Sequence, residues 1–157
     1  MKTYLIAGVL SLFATVAAAS GTHEGGHHDS LAGEPGKTSK VTRTIQVTMK
    51  ESDDGKMLYM PASVEVKEGQ TVRFAIRNAG ETDHEFVLDT HDEIMEHKKL
   101  MEKFPEMEHD DPNSVRLAPG KFGEIVWKFT RSGTLTFACL IPGHYEAGMR
   151  GDVNVIE

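Results

Sequence analysis

The chain predicts an all-β fold, a Greek-key β-sandwich with a helical insertion around residues 91–109. Three observations predict it: apolar residues recur at every second position in short runs, Gly, Pro and Asn turns separate the runs, and one stretch switches to helical spacing. A length of 157 residues with 39% hydrophobic and 26% charged side chains suits a single domain and excludes a large multidomain enzyme.

Two segments precede that domain. Met1-Lys2-Thr3-Tyr4, an apolar run from Leu5 to Val16 and Ala17-Ala18-Ala19 are the basic, apolar and small-residue parts of a secretory leader. The run is shorter than the roughly 20 residues that a membrane span needs, so residues 1–19 are expected to be cleaved, giving an exported, periplasmic protein with no remaining membrane span. Residues 20–40 are Gly, Ser, His and acidic residues with little apolar surface to offset the entropy of ordering, and are expected to form a flexible His-rich tail. The folded domain is expected to run over residues 41–157.

The elements follow from the period. Val41, Arg43, Ile45 and Val47 begin a strand, and Ser63 to Val66 form another before the Glu68-Gly69 turn. Val72, Phe74 and Ile76 alternate with polar neighbours in a half-buried strand that Asn78-Ala79-Gly80 ends. His84, Phe86 and Leu88 share a face, as do Ile125, Trp127 and Phe129. After the Ser132-Gly133 turn Leu135, Phe137 and Cys139 point one way, and Val153 and Val155 close the chain. About seven or eight short strands with such turns indicate an antiparallel sandwich. Between Thr90 and Asp111, Ile94, His97, Met101 and Phe104 recur at helical spacing, so an amphipathic helix is expected, stopped near Pro105.

The chemistry is concentrated in Thr136-Phe137-Ala138-Cys139-Leu140-Ile141-Pro142-Gly143-His144-Tyr145-Glu146-Ala147-Gly148-Met149. A strand delivers Cys139 to the sandwich edge, Pro142 and Gly143 bend the chain, and His144 and Met149 follow at intervals of five, so thiolate, imidazole and thioether can meet at one point. Cys139 is the single cysteine of an exported chain, which leaves intermolecular pairing, inert burial or metal ligation. His84 can reach the same point from across the sandwich. Two His, one Cys and a weak axial Met form the trigonal copper site used for electron transfer. Singly, each has a packing alternative: a buried Cys is a small hydrophobe, a His can be satisfied in a core, and a Met fills gaps. Jointly, in this order, they favour copper.

At these residues the chain resembles the cupredoxins, the small blue-copper proteins that include plastocyanin, azurin and auracyanin. The resemblance covers about Val41 to Glu157 and rests on Asn78-Ala79-Gly80-Glu81-Thr82-Asp83-His84-Glu85-Phe86 and on the loop with Cys139, His144 and Met149. It implies a cupredoxin-like sandwich holding one type 1 copper on His84, Cys139, His144 and Met149. The His-rich leader and charged insertion look like the periplasmic copper-tolerance cupredoxins of proteobacteria. Two departures stand out: Glu85 replaces the Asn that in many members ties the ligand loops together, and the loop from Cys139 to Met149 is long for the family.

A second tier of metal candidates comprises His23, His27 and His28 in the tail and His91, Met95, His97, Met101, Met107 and His109 in the insertion. Imidazoles and thioethers suit Cu(I) or Cu(II), so additional copper is conceivable. The competing expectation, which the helical spacing favours, is that Ile94 and Met101 pack the helix while the histidines face water.

The first functional expectation is a periplasmic redox-active cupredoxin that cycles between Cu(II) and Cu(I) in electron transfer and copper tolerance, with a redox or copper-handling protein as partner and a monomeric chain. The second is a copper chaperone or buffer that works through the tail and the insertion. An enzyme is not expected, because His-x-His pairs of the multicopper oxidases are absent. Seventeen Lys+Arg against 24 Asp+Glu, a formal charge of -7, with no basic cluster, excludes a nucleic-acid binder that neutralises phosphates.

Overall fold

The computed structural model describes residues 33–105 and 111–157. The expected leader, His23, His27, His28, Met107 and His109 lie outside the described residues. Among the described residues ten strands are formed: β1 (Glu34–Pro35), β2 (Arg43–Glu51), β3 (Met57–Met60), β4 (Ser63–Lys67), β5 (Thr71–Asn78), β6 (His84–Asp89), β7 (Ser114–Leu117), β8 (Phe122–Lys128), β9 (Gly133–Ala138) and β10 (Arg150–Ile156). One helix, α1 (His91–Lys103), follows β6.

The strands make two five-stranded sheets, ordered β1-β8-β5-β2-β3 and β4-β10-β9-β6-β7. The sequence predicts antiparallel pairing throughout, whereas two pairs are parallel. Ile45 of β2 lies opposite Phe74 of β5, and Val64 of β4 lies opposite Val153 of β10. The chain changes sheet at β3–β4, β4–β5, β5–β6, β7–β8 and β8–β9, so strands distant in sequence arrive side by side in the same direction. The placed structure also begins before Val41: Glu34 and Pro35 pair with Lys128 and Trp127 at the edge of the first sheet.

Between the sheets, alternate residues interdigitate as period-2 patterning requires. Ile45, Val47 and Met49 of β2 meet Val72, Phe74 and Ile76 of β5, and Phe86 stacks on Phe137 with ring centroids 5.1 Å apart. Full burial of each such ring stabilises the sandwich by about 1.5–3 kcal/mol.

The second sheet is covered on both faces. Val87, Ala138, Leu140 and Tyr145 turn away from the main core and pack under Ile94 and Met101 of α1. This is why β6 is buried over five consecutive residues instead of alternating. The Thr90 hydroxyl caps α1 by accepting the Glu93 N–H at 3.3 Å, and the helix ends at Lys103, ahead of Pro105. Phe104, expected on the packed face, is 58% exposed because it falls beyond the last helical residue.

Candidate metal centre

Three side chains converge at one end of the sandwich. His84 opens β6 with its ring at 0% exposure, because its parity is that of Phe86 and Leu88 and points it into the core. Cys139 directly follows β9, also at 0% exposure. His144 comes from the loop between β9 and β10 and is half-buried.

That loop is closed at its neck, where the Cys139 N–H donates to the Met149 carbonyl at 3.1 Å. Within it the His144 N–H donates to the Ile141 carbonyl at 3.0 Å, and the Met149 N–H to the His144 carbonyl at 3.0 Å. Gly143, at φ 89°, supplies the left-handed turn residue that carries the chain into His144. On the other side of the site, buried Asn78 shapes the approach to His84: its Nδ2 donates to the Thr82 and Leu117 carbonyls at 2.7 and 2.8 Å, and its Oδ1 accepts the Gly80 N–H at 2.9 Å.

The ligand atoms of His84, Cys139 and His144 lie within 4.8 Å of one another, and among the described residues this is the cluster of His, Cys and acidic groups suited to a metal ion. The His144 Nδ1 sits 3.3 Å from the Cys139 Sγ and 3.3 Å from the His84 Nδ1. Such separations suit ligands sharing one small ion through bonds of roughly 2.0–2.3 Å. Electrostatics agree. Burial lowers the pKa of His84 despite the nearby Glu51 and Asp83 carboxylates, and burial together with the neighbouring His84 lowers that of His144, so both rings are neutral and can offer lone pairs near pH 7. Burial pushes the Cys139 thiol up to about 12, although N–H groups of Glu85 and Ile141 point at the sulfur and partly oppose the shift. Two neutral imidazoles and a buried thiol form a donor set that a soft cation completes.

The remaining candidates are placed differently. Met149 is fully buried in the main core at the neck of the loop. Met101 is 1% exposed beneath α1 with Ile94, so it packs the helix on the sheet, while Met95 is half-buried against the same cluster. His91 is exposed and His97 half-buried on α1. Leu140, four residues before His144, is 1% exposed, because α1 covers it.

Residues 45–156 match the family model of copper binding proteins, the plastocyanin/azurin family. The chain belongs to the plastocyanin/azurin family of copper-binding proteins. Within that family it is 46% identical to the copper-resistant cuproprotein CopI of Rubrivivax gelatinosus, across 94% of this chain and 92% of the relative. It is 36% identical to the CopI of Pseudomonas aeruginosa, across 82% of this chain and 84% of that one. The fold is shared with the auracyanin of Roseiflexus castenholzii at a TM-score of 0.62 and 21% identity, over 74% of this chain and 99% of that structure. A multicopper oxidase from Campylobacter jejuni shares the fold at a TM-score of 0.55 and 15% identity, over 79% of this chain and only 31% of its own length.

As a member of this family the chain binds copper, and the departure at Glu85 acquires a structural meaning. Glu85 is 3% exposed; its N–H donates to the Cys139 Sγ at 3.3 Å, and its carboxylate accepts the Leu140 N–H at 3.4 Å. The carboxylate therefore ties the strand that carries His84 to the loop that runs from Cys139 to His144, where many family members have Asn. Tyr59 secures the same residue from β3 by donating its hydroxyl to the Glu85 carbonyl.

Sequence reasoning missed Glu51, whose Oε1 lies 3.0 Å from the His84 Nε2. Its signal was parity: Ile45, Val47, Met49 and Glu51 occupy one face of β2, so a carboxylate falls where a fourth core residue is expected.

Proposed function

We propose that the chain is an exported, periplasmic type 1 copper protein that carries single electrons in copper tolerance, with His84, Cys139, His144 and Met149 as its ligands. The observation that carries the reading is the convergence of two neutral imidazoles and one buried cysteine sulfur within 4.8 Å. When bound there, copper supplies a one-electron Cu(II)/Cu(I) couple. The protein's contribution is rigidity: His84 and Cys139 are held by sheet and core, so their positions need not change with oxidation state. Met149, buried at the neck of the loop, would supply the weak thioether ligand. His144, the half-buried member, is the group through which electrons leave, beside exposed Pro142 and half-buried Ile141. Acidic residues elsewhere on a chain of formal charge -7 steer a redox or copper-handling partner with basic character.

Titration of the chain with Cu(II), followed by visible absorption and paramagnetic resonance, tests this reading. One copper per chain with an intense thiolate-to-copper band is expected, and Cys139→Ala removes the band. A band that survives in that variant overturns the assignment. The reading as a copper buffer draws less support, since Met101 is consumed by helix packing.

A further inference from the structure

Glu51 stands at the end of β2 on its core-facing side and reaches the loop that precedes His84. Its Oε2 accepts the Glu81 N–H at 2.9 Å, and its Oε1 accepts the Thr82 N–H at 3.1 Å and the Thr82 hydroxyl at 2.7 Å. The same Oε1 lies 3.0 Å from the His84 Nε2, which makes no straight hydrogen bond to any group. Gly80 leaves the space: a Cβ at that position would run into both carboxylate oxygens. The carboxylate is thus fixed by three donors and presented to the far side of a fully buried ring whose other nitrogen faces Cys139 and His144.

We infer that Glu51 is a positioning residue for the copper ligand His84: it keeps the ring proton on Nε2, leaves the Nδ1 lone pair for copper, and weights the site towards the oxidised ion. The inference rests on the copper reading above. A neutral imidazole carries one proton, and an anion beside Nε2 places that proton there. A carboxylate on the outer nitrogen makes the ligating nitrogen more basic, and loss of such partners ordinarily costs 10–100-fold in metal affinity. A fixed negative charge favours the ion of higher charge, so Cu(II) gains more from Glu51 than Cu(I) does.

The test compares the copper-loaded full chain with Glu51→Gln, which keeps the size and one of the two acceptor oxygens that the loop uses but removes the charge. The visible band is retained, while affinity for Cu(II) relative to Cu(I) falls about tenfold, which raises the one-electron potential by about 59 mV. Gly80→Ala, which displaces the carboxylate and keeps its charge, shifts the potential in the same direction. Asp53→Asn, a charge removed at an exposed neighbour, leaves it unchanged. In the copper-free wild type, long-range ¹⁵N–¹H correlation at pH 8 finds His84 protonated on Nε2. An unchanged potential in Glu51→Gln, an equal shift in Asp53→Asn, or a proton on the His84 Nδ1 overturns the inference. If Glu51→Gln fails to fold, Gly80→Ala and the wild-type tautomer decide. A wild type without the thiolate band refutes the proposed function instead, and the tautomer still decides the role of Glu51.

Discussion

The two histidines of the centre are held in opposite ways. His84 begins a strand, has 0% exposure, and is backed by a carboxylate that the preceding loop fixes through three hydrogen bonds. His144 sits in a loop of turns and is half-buried. Under the proposed function, ligand geometry would be set from the core side and electrical contact made from the loop side, so rigidity and access need not compete at one residue.

That contrast can be broken directly. His84→Ala removes a buried ring from the packed interior, and the copper-free protein should lose about 2–4 kcal/mol in denaturant melts, as large-to-small core substitutions do. His144→Ala should cost less than about 1 kcal/mol, since the ring is only half-buried. Both lose the native spectrum, but free imidazole should restore a copper band only in His144→Ala, where the gap opens to solvent. Equal rescue of both variants would erase the distinction.

A gentler change sharpens the role of α1, which shelters the loop side. Met101 and Ile94 bury Leu140 and Tyr145, and Lys98 reaches from the helix to Glu146 at 2.6 Å. Met101→Ala should destabilise the chain by about 2–3 kcal/mol while leaving the copper stoichiometry at one per chain. Loss of a second copper on this substitution would mean that Met101 is a ligand after all.

The smallest effect at neutral pH comes from Cys139. Its folded thiol is pushed up to about 12 from an ordinary 9, so the native copper-free state holds the proton more tightly than the unfolded chain. This contribution is complete below pH 9 and is lost as the pH rises through 12. Thermal melts of the copper-free protein should therefore show a fall across that window that is shallower in Cys139→Ala. Identical slopes would mean that burial does not perturb the thiol.

Much of this architecture was legible from period and order. Val72, Phe74 and Ile76 read correctly as one buried face, α1 stopped ahead of Pro105, and Cys139 and His144 were drawn to His84 by residue type and spacing. Strand β3 was not legible, because Met57 and Leu58 are both half-buried and show no alternation. The buried outer face of β6 was hidden for a related reason: the period reports which side of a strand is apolar, but not that a helix later in the chain will cover the other side. Glu51 escaped because a carboxylate in a strand reads as solvent-facing, and only the assembled sandwich shows which backbone N–H groups receive it, whereas Glu85 stood out in the sequence as a departure and the sandwich shows the Leu140 N–H that its carboxylate accepts.

The bond from the Cys139 amide to the Met149 carbonyl has an engineering consequence. It extends the β9–β10 ladder by one rung and pinches off residues 140–148 as a detachable cassette. On the proposed ligand assignment, a shorter or longer cassette spliced between those anchors should replace the outer ligand without sliding either strand, while the inner one stays put.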